Sequence, residues 1–64
     1  MFQELIDDYR RQAAQFMADA LELESGLGRL DDQDRDRSAA AVARKRGLAQ
    51  MLFGLAEAYE EEDR

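Results

Sequence analysis

This chain contains no cysteine, histidine, proline, tryptophan, threonine or asparagine. Without cysteine there can be no disulfide, and without cysteine and histidine the usual ligands of a structural zinc site are missing. Its 64 residues bound it at a single domain. Domains this small bury a modest share of their surface, so tight helix packing and oligomerisation are the remaining routes to stability. The lack of proline permits long, uninterrupted helices. Lysine is nearly missing too: Lys45 stands alone among nine basic residues, the rest being arginine. Idealised helical designs favour Glu–Lys pairs on exposed faces. The arginine bias therefore points to a natural sequence from a GC-rich bacterium, phage or plasmid.

Long apolar runs are absent as well. The most apolar stretch, Gly47 to Ala56, falls far short of the ~20 residues that a membrane-spanning helix needs. The opening "MFQELIDDYRRQ" has no basic region followed by an apolar run, so no secretory signal is expected and the cytoplasm is the expected compartment. The formal charge is −6, with acids gathered at Asp31–Asp36 and Glu60–Asp63. Such a balance favours solubility and disfavours unguided attraction to nucleic acid or anionic lipid.

What the chain does have is helical periodicity. Apolar residues fall at Phe2, Ile6, Tyr9, Ala13, Phe16, Ala20, Leu23, Leu27 and Leu30, in alternating steps of four and three. That is the spacing of a coiled-coil or bundle helix. Leu5, Met17 and Leu21 widen the stripe, while Asp8, Gln15 and Glu22 mark the outward side. Asp7 and Arg11 stand at the spacing of an i,i+4 pair. The pattern breaks at "SGLGRLDDQD", where Gly26 or Gly28 can take the left-handed conformation that ends a helix, and a following aspartate can cap the next. The reading is all-α: a two-helix antiparallel hairpin dimerising into a four-helix bundle. Helix one is expected at about 2–25, the turn at about 26–31 and helix two at about 32–61.

Helix two carries apolar residues on two sides. One stripe, Ala41, Leu48, Met51, Leu52, Leu55, Ala58 and Tyr59, suits helix one. A second strip, Val42, Ala49, Phe53 and Ala56, lies on nearly the opposite side, where a hairpin partner cannot reach. A second molecule is expected to cover it, with Phe16 and Met17 of helix one joining that interface. Between the stripes run Gln50, Glu57, Gly47 and Gly54. The two glycines, one heptad apart, either mark a close approach of helices or merely weaken the helix.

Chemical motifs are few. Asp32, Asp34 and Asp36 match the first acidic positions of a calcium loop, but Arg37 and Ala43 stand where that loop needs Gly and Glu. Solvated acids complementing the dipole of helix two account for them better. Hydroxyls are limited to Ser25, Ser38, Tyr9 and Tyr59, with no imidazole or thiol to build a nucleophile with its base. No enzymatic activity and no cofactor are expected. The basic cluster Arg44, Lys45 and Arg46, with Arg37 upstream, is the one feature suited to phosphates, and symmetric pairing would present it twice. Nearby acids and the negative total charge argue for a solvated helix face instead. A membrane-surface helix would spread its basic residues along the polar face, which this one does not. The expected function is a small protein–protein interaction module, an adaptor or an inhibitor of a larger bacterial or phage protein. Its partners would be itself and another protein, with a nucleic-acid-binding regulator as the alternative.

Overall fold

A computed structural model describes all 64 residues. Helix α1 spans Gln3–Ser25 and helix α2 spans Asp32–Glu62, packed against each other with a single 3-10 turn, Leu27–Arg29, between them. At 1.5 Å per residue the 31 residues of α2 account for most of the 49 Å length of the molecule, whose other two extents are 13 and 10 Å. There are no strands. No helix is long and apolar enough to cross a membrane.

The reversal needs no left-handed residue. Gly26 ends α1 in the right-handed region (φ −90°, ψ −8°), and no residue of the chain has positive φ. The expectation of a left-handed glycine is therefore corrected. Leu27–Arg29 tighten into one 3-10 turn instead, with Arg29 N–H donating to the Gly26 carbonyl and Leu30 N–H to the Leu27 carbonyl. Leu27 and Leu30 are half-buried, so the heptad seam of α1 continues through the turn and holds it down.

Asp31 then caps α2. Its backbone is extended, and its side-chain oxygen accepts from the Asp34 N–H at 2.9 Å. That bond satisfies one of the free donors at a helix start, while Asp32 and Asp34 sit in the first turn near the positive end of the dipole. Asp31→Ala should lower stability by about 1 kcal/mol, read as a shift in the urea midpoint at unchanged slope.

The core is a line of small side chains. Ile6, Ala13 and Ala20 of α1, and Val42, Ala49 and Ala56 of α2, are buried at seven-residue intervals. Leu52 completes the set, and Tyr9 and Phe16 pack against the Ala13, Ala49 and Leu52 cluster. Small residues at the centre let large neighbours from the facing helix fill the space beside them. All nine expected seam positions, from Phe2 to Leu30, are buried or half-buried, six of them within α1.

For α2 the expectation needs correction. Helix one lies on Val42, Ala49 and Ala56 of the second strip, together with Leu52 of the first, rather than on the first stripe alone. Val42, Ala49 and Ala56 are consequently covered within the chain, not by a second molecule. Met51, Leu55 and Ala58 of the other stripe are exposed, as are Met17 and Leu21 of α1. Helix one settles there because Val42, Ala49 and Ala56 share one heptad position and offer the small seam that Phe16 and Tyr9 require.

Candidate functional site

The helix geometry divides the hairpin into two unlike flanks. From the central positions Ala13, Ala20, Val42, Ala49 and Ala56, residues at i+3 and i−4 fall on one side. Residues at i+4 and i−3 fall on the other.

The first side collects Tyr9, Phe16 and Leu23 from α1, with Lys45, Leu52 and Tyr59 from α2. Tyr9 and Tyr59 stack with ring centroids 6.0 Å apart, and Phe2 tilts against Tyr59 at 5.1 Å. The Lys45 ammonium stands 5.7 Å from the centre of the Phe16 ring and 3.8 Å from the Asp19 carboxylate. A cation over an aromatic face and beside a carboxylate is held from both directions. Leu5, Leu48 and Leu55 extend this aromatic flank outward, Leu55 being 38% exposed.

The second side is charged at both ends. Arg10 pairs with Glu60 and Arg46 with Glu24, two heptads apart on each helix. Midway between them the same heptad positions carry Met17 and Phe53, 42% and 43% exposed. These are solvent-facing ion pairs, each worth only a few tenths of a kcal/mol, and they fix the register of the two helices more than they hold them together. Phe53 thus lies at the rim of the hairpin, left partly exposed by helix one as expected.

The four residues considered for phosphate binding do not form one patch. Consecutive residues of a helix project about 100° apart. Lys45 accordingly reaches Asp19 on the aromatic flank while Arg46 reaches Glu24 on the charged one. Arg37 and Arg44, one heptad apart and exposed, make no ion pair within the chain. Upstream, Arg35 pairs with Asp32 at 3.4 Å and donates to the Leu30 carbonyl at 3.2 Å.

Other side chains settle locally. Arg11 pairs with Asp8 at 3.8 Å, one residue nearer than the Asp7 expected for it, and Asp7 instead accepts from the Gln3 amide at 2.9 Å. Asp32, Asp34 and Asp36 step along α2 at two-residue spacing, so neighbouring members of the set face different ways. Every buried side chain is apolar, and no buried side-chain oxygen or nitrogen is left without a partner. What the arrangement offers chemically is an apolar, aromatic-lined surface along one flank and a set of surface charges.

The contrast between the flanks was the feature that stripe-by-stripe reading of α2 missed. It becomes visible only once the i+3 and i+4 neighbours of the buried alanines are sorted to their own sides. No protein-family model matches the chain, and neither does any curated protein or solved structure.

Proposed function

We propose that this chain is a small, non-catalytic protein–protein interaction module, an adaptor or an inhibitor-type regulator, working as a helical dimer with a four-helix core. The observation that supports the reading is the aromatic flank. There Leu5, Tyr9, Phe16, Leu23, Leu48 and Tyr59 are only half-covered by the hairpin, and Met51 and Leu55 lie beyond them more than a third exposed. Fully burying one such side chain is worth about 1.5–3 kcal/mol. Scattered exposed leucines are ordinary, but a contiguous flank of them is the mark of an interaction surface.

This reading moves the interface expected from the sequence. Phe16 stays in it and Lys45 borders it, while Val42, Ala49 and Ala56 leave it, and Met17 and Phe53 lie on the opposite flank. Melting temperature should rise with protein concentration, because association stabilises the folded chain by mass action. Leu55→Asp should abolish that dependence and Phe53→Asp should preserve it. A folded hairpin that stays monomeric by sedimentation at micromolar concentration, with a melting temperature independent of concentration, would reject the reading.

The exposed, unpaired Arg37 and Arg44 favour the second reading, a regulator that holds nucleic acid by its phosphates. Binding of that kind weakens steeply as salt rises, whereas association through apolar packing changes little. A salt titration of any complex the chain forms separates the two.

A further inference from the structure

The outer edge of the aromatic flank carries charges that the hairpin leaves only partly matched. On α1 this edge reads Asp8, Gln15, Asp19 and Glu22: Asp8 is paired with Arg11 and Asp19 with Lys45, while Glu22 is exposed and holds no ion pair. On α2 it carries Arg37 and Arg44, both exposed and both without an ion pair in the chain. Arg44 adjoins Lys45, and Lys45 reaches across to Asp19, so Arg44 stands level with Asp19 along the rod. One turn further along the same edge lies Glu22.

We infer that a second copy of this chain covers the aromatic flank about a two-fold axis parallel to the helices, so that each α1 lies against the α2 of the other copy. The inference rests on the dimer reading proposed above and supplies its geometry. Charge complementarity selects the axis. A two-fold parallel to the helices keeps every residue at its own height, which sets Arg44 of one copy against the partner's Asp19 and the partner's Glu22. A two-fold perpendicular to the helices lays α1 on α1 instead, acid edge against acid edge, and like charges brought together across an interface are costly. The same parallel arrangement brings Leu5 of each copy to the height of the partner's Tyr59, one turn from the partner's Leu55, so apolar residues meet apolar ones inside the charged edge. An apolar centre with a polar rim is the usual anatomy of an interface.

Two charge reversals test it. Arg44→Glu and Glu22→Arg alter exposed side chains that hold no ion pair in the hairpin, so far-ultraviolet circular dichroism should show unchanged helix for both. By sedimentation equilibrium, Arg44→Glu alone should weaken self-association roughly tenfold, and Glu22→Arg alone should weaken it several-fold. An equimolar mixture of the two variants should recover near wild-type affinity, because in the mixed dimer both contacts again join opposite charges. If the wild type associates and neither reversal changes its affinity, or the mixture shows no recovery, the arrangement is overturned while the dimer reading stands. A wild type that never associates removes the dimer reading itself. Binding of a short RNA duplex that Arg44→Glu abolishes, with self-association untouched, would also overturn the inference and assign Arg44 to phosphate.

Discussion

Ala49→Asp should leave a chain with no cooperative melting transition. Ala49 has no solvent exposure and lies in the cluster with Ala13 and Leu52, where Tyr9 and Phe16 pack. Every buried side chain there is apolar, so an introduced carboxylate would find no hydrogen-bond partner. An unpaired charge in such a place costs several kcal/mol even after partial relaxation. A core of this size seldom supplies more than about 3–5 kcal/mol in total, so the substitution consumes the whole stability. Gln50→Asp, one residue along and facing water, is the control and should keep a melting curve close to that of the wild type. A cooperative transition for Ala49→Asp within a few degrees of the control would mean that α1 does not lie on Ala49.

The second large effect runs the other way. Gly47→Ala combined with Gly54→Ala should raise the melting temperature by about 6–16 °C. Both glycines lie within α2, both are exposed, and a Cβ built at either meets nothing within 4 Å. Each replacement inside a helix stabilises by about 0.8–1 kcal/mol. In a chain of this length each kcal/mol moves the midpoint by about 4–8 °C. Of the two roles open to these glycines, lowered helix stability is therefore the one that the hairpin supports. Self-association measured alongside should be unaffected, since both positions lie on the back of α2, away from the aromatic flank. A weaker dimer would restore the alternative, that the glycines make room for another helix.

Helix α1 was legible from its spacing because every position of the seam from Phe2 to Leu30 carries an apolar side chain, and alternation of large with small residues is what the packing uses. An aspartate cap was legible for the same local reason, a short acid before an alanine-rich helix, and Asp31 is the one that serves. Helix α2 was not, and the cause is physical. Its true seam includes Ser38 and Lys45 beside three small buried residues, Val42, Ala49 and Ala56, while Met51, Phe53 and Leu55 lie outside it. Reading by hydrophobicity ranks the large residues first. Helix one selects by size instead, because the rings of Tyr9 and Phe16 need gaps between alanines. The basic cluster misled in a related way. Arg44, Lys45 and Arg46 are neighbours in sequence, but their carboxylate partners on α1, Asp19 for Lys45 and Glu24 for Arg46, sit on different flanks. Those pairings depend on the antiparallel register, which no local pattern contains.

The stacked pair Tyr9 and Tyr59 brings a practical dividend. These are the only two tyrosines, and there is no tryptophan to mask them. They meet 6.0 Å apart toward the end of the rod away from the turn, with Phe2 against Tyr59. The tyrosine band of the near-ultraviolet dichroism, at longer wavelength than the phenylalanine bands, consequently watches the open end, whereas the far-ultraviolet signal averages both helices. If unzipping starts there, where a hairpin has least chain connectivity, the aromatic signal fades before the helical one. The molecule thus carries its own spectroscopic gauge of fraying, with no label attached.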